Sequence, residues 1–363
     1  MSTYVLTGAN GFLGFHVRAA LKEHGHTVRV MPVGDKYDSK AASKLLRGAH
    51  NILHLAGVNR GHASDILNEN IRFARQVEDA MKRTDQGPKR IVFANSIQSA
   101  NGSPYGDSKA EAARILGQVA FETGSRMDNL MLPNLFGEFG RPFYNSVTAT
   151  FCHMISRGET PEVWDDKEIR LLHAQHAAEV IIGTLPESSL SKYSIIESVS
   201  GLKRRITDLA TTYEAGEFPS LELAYDRDLF NTYRSYLYPQ GPLIITRHAD
   251  ARGSFFEIVR NHGGTGQTSF STTETGITRG DHFHRRKVER FTVLSGRAEI
   301  SVRLIGTAEK HVYRLDGDNP RSVDMPTFVA HSIKNVGNEP LLTAFWTNDI
   351  FDKSNPDTIS EGV

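Results

Sequence analysis

The N-terminal part of the chain alternates short apolar runs with longer stretches in which apolar residues recur every three to four positions. Tyr4–Leu6, Val28–Met31, Ile52–Leu55, Ile91–Ala94 and Leu130–Leu132 read as strands buried on both faces. Between them Phe12–Glu23, Ile66–Lys82 and Ser108–Glu122 carry helical spacing, which Val147–Arg157 and Ala174–Thr184 continue. Alternation of this kind predicts βαβ units and a parallel, doubly wound α/β sheet. After about Tyr238 the period shortens. Leu243–Thr246, Ser254–Val259, Gly266–Thr272, Lys287–Ser295, Arg297–Leu304, His311–Leu315, Arg321–Met325, Ser332–Val336 and Leu341–Trp346 read as strands separated by Gly, Asp-Gly and Asn-Pro turns. They predict an all-β barrel or double-sheet roll. Leu237–Leu243, with two prolines and a glycine, reads as the linker, dividing the chain into domains 1–239 and 240–363.

A length of 363 residues fits two domains. Lys and Arg number 42, as do Asp and Glu, so the net charge is zero and the basic footprint of a nucleic-acid binder is missing. No apolar run approaches the length of a membrane span. The first residues enter a strand without a basic and apolar leader, so a cytoplasmic protein is expected. The single cysteine, Cys152, excludes an internal disulfide and fits a reducing compartment. Its apolar neighbours suggest packing rather than chemistry.

The first strand runs into Thr7-Gly8-Ala9-Asn10-Gly11-Phe12-Leu13-Gly14 and then a helix. Glycines at this spacing allow a tight turn, close approach of backbone N–H groups to a pyrophosphate, and packing of the helix on the sheet. The pattern predicts a Rossmann-type dinucleotide site at Thr7, Gly8, Asn10, Gly11, Phe12 and Gly14. At the end of the second strand Met31 and Pro32 stand where an acid would select NAD, with Arg29 and Lys36 nearby. That favours NADPH; Asp35 reverses the preference if its loop curls back. Tyr105 and Lys109 are four residues apart and share a helix face. An ammonium near a phenol stabilises phenolate, so the tyrosine can exchange a proton with a substrate oxygen during hydride transfer. Ser96, just past a strand, can bond the same oxygen.

These motifs resemble the extended short-chain dehydrogenase/reductase family, in its nucleotide-sugar branch, over roughly residues 2–239. The resemblance adds Leu55-Ala56-Gly57 and Asn70 as cofactor contacts, with Lys109 among them. It adds Asn134, in Pro133-Asn134-Leu135-Phe136-Gly137, as a sugar-nucleotide contact and Arg170 as the grip on the diphosphate. Ser96 lies only nine residues before Tyr105. The family spacing is longer, so Gln98 is a second candidate for the role of Ser96.

The C-terminal part holds His282, His284, Glu289 and, much later, His331. On a strand His282 and His284 face the same way. Three imidazoles and a carboxylate suit a divalent metal such as Zn²⁺. The two segments resemble the signatures of the cupin family. The Asp250–Glu257 and Thr278–His282 stretches resemble its dTDP-sugar 3,5-epimerase branch, where the residue matching His282 is a metal-free base. His282 therefore has two competing roles, ligand and base.

Taken together, the chain resembles the bifunctional capsular-polysaccharide enzymes of the CapF type. That resemblance implies C3 epimerisation of a UDP-2-acetamido-2,6-dideoxy-4-hexulose in the cupin domain. NADPH-dependent reduction of the C4 ketone by the other domain follows, on the route to UDP-N-acetyl-L-fucosamine. It also implies a homodimer acting on a UDP-sugar, with no nucleic-acid or membrane partner. The alternative is a nucleotide-sugar dehydrogenase or epimerase whose cupin is structural or sensory.

Overall fold

The computed structural model describes residues 1–363, which form two compact units: Met1–Thr150 with Trp164–Val199, and Phe151–Val163 with Ser200–Val363. In the first unit the elements run β1 (Thr3–Thr7), α1 (Phe12–Glu23), β2 (Thr27–Val30), α2 (Ser39–Leu46), β3 (Asn51–His54), α3 (Ala63–Lys82), β4 (Arg90–Ser96), α4 (Pro104–Thr123) and β5 (Arg126–Leu132). The five strands form a parallel sheet of order β2-β1-β3-β4-β5. Side chains alternate between its faces. Leu6, Leu53, Val92 and Leu130 join one apolar core with α1, while Val5, Ile52, Ile91 and Phe93 join another with α2, α3 and α4. The order reverses beside β1, which opens a crevice at the carboxyl ends of β1 and β3.

Strands β6 (Asn134–Phe136), β7 (Glu168–His173) and β8 (Ile195–Ser198) form a small second sheet. Helix α5 (Val147–Ile155) precedes β7; α6 (Ala174–Ile182) and α7 (Ser189–Lys192) follow it. Helix α4 is fixed at both ends by local chemistry. The Ser103 hydroxyl accepts from the Gly106 N–H at 3.0 Å, Pro104 occupies the first turn, and Gly124 closes the helix at φ 64°. That start places Tyr105 in the first turn.

The second unit contains α8 (Val199–Glu214, from Ser200), α9 (Ala224–Ser235) and the strands β9 (Leu243–Ile244), β10 (His248–Asp250), β11 (Gly253–Phe255), β12 (Gln267–Thr273), β13 (Thr278–Phe283), β14 (Glu289–Ser295), β15 (Arg297–Leu304), β16 (Lys310–Asp316), β17 (Arg321–Met325), β18 (Val329–Asn335), β19 (Leu341–Thr347) and β20 (Ile359–Ser360). Two five-stranded antiparallel sheets, β12-β19-β14-β17-β9 and β16-β15-β18-β13-β20, form the roll expected from the turn-rich pattern. Val293, Ile300, Val323 and Ile333 fill its core.

The apolar pattern does not mark α9, and the reason is visible. Asp228, Asn231 and Arg234 are buried in it, so a covered helix reads as a surface one. Around it Phe218 stacks on Trp346 at 4.5 Å, and the Tyr213 hydroxyl donates to Asp324 at 2.6 Å. Strand β13 is mostly exposed and polar, held by backbone pairing to β18, and has no alternation to read. Cys152 is fully buried, and burial pushes its thiol pKa up. No helix is long and apolar enough to cross a membrane.

Candidate active site and metal centre

The carboxyl ends of β1, β3, β4 and β5 open on a cavity of about 550 Å³. Gly8, Gly11, Phe12, Gly14, Leu55 and Gly57 line one side of it; Ser96, Gln98, Tyr105, Lys109 and Asn134 line the rest. The glycine turn is required by sterics. Gly8 sits at φ +69°, and a Cβ there would lie 2.6 Å from the Ala56 nitrogen; at Gly14 it would lie 2.2 Å from the Gly8 oxygen. The first turn of α1 carries no acidic residue, so its free N–H groups present unopposed partial positive charge.

Tyr105 is half-buried, and burial raises its pKa, with the neighbouring Ser96 hydroxyl acting in the opposite sense. Lys109 donates to the Ala94 carbonyl at 2.5 Å and lies 4.2 Å from the Phe93 ring centre. Burial pushes its pKa down to about 7. The charge balance therefore differs from the simple expectation for a Tyr–Lys pair. The ammonium is anchored on a backbone carbonyl, and Ser96 lines the cavity beside the phenol.

Several expected contacts sit behind the cavity wall. The Thr7 hydroxyl lies 2.8 Å from His54 Nδ1 and accepts from the Ala56 N–H at 3.3 Å, tying β1 to the loop after β3. Asn70 is buried. Its amide donates to Val58 O at 2.7 Å, Ile66 O at 2.8 Å and Ser108 Oγ at 3.1 Å, and it accepts from the Val58 N–H at 2.9 Å. These bonds brace that loop against α3 and α4. Asn10 is exposed at the turn. Arg170 is exposed on β7 and is not among the residues lining the cavity. Near β2, Arg29 donates to Leu45 O and Arg47 O, both at 2.9 Å, and so closes the end of α2. Asp35 is exposed and paired with Arg72 at 2.5 Å.

In the second unit His282, His284, Glu289 and His331 bring one ligand atom each within 4.8 Å of one another. His282 and His331 are cross-strand partners on β13 and β18; Glu289 starts β14 of the other sheet. A bulge between Gly280 and His282 sets this register, and at φ +105° a Cβ on Gly280 would lie 2.7 Å from His331 O. His284 Nε2 lies 2.9 Å and His331 Nε2 3.3 Å from Glu289 Oε2. The outward nitrogens are held by carbonyls: His284 Nδ1 bonds Asp357 O, and His331 Nδ1 lies 3.1 Å from Val329 O. Such contacts fix the tautomer that turns Nε2 inward. Burial pushes the Glu289 carboxyl up, but His284 and His331 more than reverse this and hold it well below the usual carboxylate range. His331 Nε2 is buried without a hydrogen bond, the arrangement a cation would complete.

A family model described as the NAD dependent epimerase/dehydratase family matches residues 4–194, more than half of the chain. The protein belongs to that family. A model described as the polysaccharide biosynthesis C-terminal domain matches residues 248–359. The chain is 30% identical to the UDP-2-acetamido-2,6-beta-L-arabino-hexul-4-ose reductase of Pseudomonas aeruginosa, covering 99% of this chain and 98% of that one. The crystal structure of the capsular polysaccharide assembling protein CapF from Staphylococcus aureus matches with 31% identity and a TM-score of 0.62, covering 99% and 100%. The spore coat polysaccharide biosynthesis protein SpsL of Bacillus subtilis is 27% identical over 122 residues, 31% of this chain and 81% of that one.

Membership of a NAD dependent epimerase/dehydratase family implies a nicotinamide dinucleotide, and the cleared turn at Gly8 and Gly14 fits its pyrophosphate. Two groups of residues escaped the sequence reading. Asn59, Arg141, Tyr144, Asn145 and Ser146 line the cavity from loops, which carry function without any periodicity to announce it. Asp357 accepts from the N–H groups of Arg285, Arg286 and Lys287 at 3.0, 2.8 and 2.9 Å, and so holds the turn that carries His284. It lies far along the chain, and only the fold brings it there.

Proposed function

We propose that the protein is a bifunctional nucleotide-sugar enzyme of polysaccharide biosynthesis. It epimerises C3 of a UDP-2-acetamido-2,6-dideoxy-4-hexulose at the His282/His284/Glu289/His331 centre of a cupin-type roll. It then reduces the C4 ketone at the Tyr105 cavity, on the route to UDP-N-acetyl-L-fucosamine. The observation that carries this is the presence, in one chain, of a glycine-turn cavity holding Tyr105, Ser96 and Lys109 and of a separate His₃Glu cluster. The full-length similarity to a hexulose reductase supports it.

The chemistry explains the pairing. A C3–H is acidic only while C4 is a ketone, because loss of the proton gives an enolate. Epimerisation therefore precedes reduction, and reduction fixes the configuration. In the roll, His284, Glu289 and His331 hold a divalent ion, Zn²⁺ by the chemistry of the donors, together with His282 when it acts as a ligand. When bound, that ion supplies positive charge against the developing enolate. In the cavity the dinucleotide, NADPH by the neutral Met31 and Pro32 end of β2, supplies hydride when bound. Tyr105 gives its phenolic proton to the C4 oxygen as the C=O bond becomes C–OH, and the Ser96 hydroxyl steadies the phenol. Gln98 and Asn134 face the sugar from the same cavity. The active assembly is a cytoplasmic homodimer in this proposal, and sedimentation of the purified protein measures the oligomeric state.

The deciding experiment incubates the protein with UDP-4-keto-6-deoxy-HexNAc in D₂O, followed by NMR. Without NADPH, deuterium enters at C3. With NADPH, the C4 ketone disappears as NADPH is oxidised. Failure of either proton exchange or oxidation removes the corresponding half of the proposal.

A further inference from the structure

The cavity in the first unit has an electrostatic asymmetry. Its lining includes no Asp or Glu and two cations, Lys109 and Arg141. Lys109 is buried and anchored on the Ala94 carbonyl. Arg141 is exposed to solvent and to the cavity, and no hydrogen bond or ion pair holds its guanidinium. It is nevertheless well positioned. Its Cζ lies 4.9 Å from the centre of the Tyr144 ring, and the Arg60 guanidinium lies 5.8 Å from the same ring. Arg60 also donates to Phe143 O at 2.5 Å and to Tyr144 O at 2.8 Å. Phe143 has φ +56°, a conformation a phenylalanine adopts only when its surroundings enforce it. Arg60 thus clamps the backbone of this loop, and Tyr144 gives Arg141 a flat surface to stack on.

We infer that Arg141, stacked on Tyr144 and backed by the Arg60 clamp, binds the diphosphate of the nucleotide-sugar substrate. The assignment rests on the nucleotide-sugar function proposed above and names a residue for it. A diphosphate needs a fork of donors and positive charge, and Arg141 alone in this lining has both free. The alternative anions belong elsewhere. The dinucleotide pyrophosphate is expected at the glycine turn after β1, and an adenosine 2′-phosphate near the end of β2. Arg141 lies on the loop after β6, which Arg60 from the loop after β3 clamps, whereas β2 is the edge strand beyond β1. Arg170, which the family resemblance nominated for this role, is outside the lining.

The test measures equilibrium binding of UDP, uridine and NADPH to the full-length wild type, Arg141→Gln and Arg141→Lys. Wild type should prefer UDP over uridine. In Arg141→Gln the UDP affinity should fall by about ten- to hundredfold, the range for a lost charged hydrogen bond, with uridine and NADPH unchanged. Arg141→Lys should recover part of the loss, since it restores charge without the fork. NADPH binding also reports that each variant is folded. The assignment is overturned if Arg141→Gln keeps the wild-type preference for UDP over uridine, if it loses NADPH instead, or if Arg170→Gln is the variant that loses the preference. A wild type that binds NADPH but neither UDP nor a UDP-sugar overturns the nucleotide-sugar function itself, and Arg141 with it.

Discussion

Lys109 donates its ammonium to the carbonyl of Ala94 at 2.5 Å, in a position almost closed to water. Burial pushes its pKa from 10.5 down to about 7. Between those values the unfolded chain holds a proton that the folded chain has lost, so stability rises with pH across that window. Below about pH 7 the full cost of the buried charge is felt. Lys109→Met should therefore stop reduction yet raise Tm at pH 6, by about 3–5 °C once the unpaired Ala94 carbonyl is allowed for. The gain should shrink toward pH 9. Thermal unfolding at the two pH values checks the sign, and equal gains would show that the charge is not the cause.

Tyr105→Phe removes the phenolic proton but leaves the ring. NADPH oxidation should fall by about 10²- to 10⁴-fold, the usual contribution of a positioned acid. Deuterium incorporation at C3 should continue at the wild-type rate. Loss of both activities in a variant that still binds NADPH would mean that the two reactions share one site.

Purified protein should carry about one divalent ion per chain, held by the three imidazoles and Glu289. Glu289→Gln should lose most of that ion by elemental analysis and lose C3 exchange with it. Reduction of a ketone already epimerised should persist. Exchange that survives complete removal of the ion would make the metal structural and leave His282 as the base.

Glu138 is fully buried, and its carboxylate meets His173 Nε2 at 3.1 Å and Gln175 Nε2 at 3.1 Å. Burial raises its pKa, but His173 and His16 outweigh that and bring it to about 2. A carboxylate depressed in this way adds stability above its unfolded pKa, and the contribution is lost as pH falls from 4.5 toward 2. Glu138→Gln should cost about 3 kcal/mol at pH 7 and less at pH 3. Denaturant unfolding at both values measures this, and a pH-independent loss would assign the cost to packing alone.

Local chemistry made much of the protein legible from the chain. The glycine turn at Gly8–Gly14, the Tyr105–Lys109 spacing and the His282–His284 pair each depend on residues a few positions apart, where backbone geometry alone sets which side chains meet. The strand–helix alternation likewise marked the parallel sheet, because its central strands β1, β3 and β4 are covered on both faces and are mainly apolar, whereas the edge strands β2 and β5 are partly exposed. What depends on distant residues was hidden. Asn70 reads as a cofactor contact until Val58, Ile66 and Ser108 are seen to take its amide. Arg170 reads as an anion grip, yet it is not among the residues lining the cavity, and Arg141 is. Asp357 has no recognisable motif, yet it holds the turn bearing His284. A side chain's role follows from what surrounds it, and those surroundings are assembled from segments that no local pattern relates.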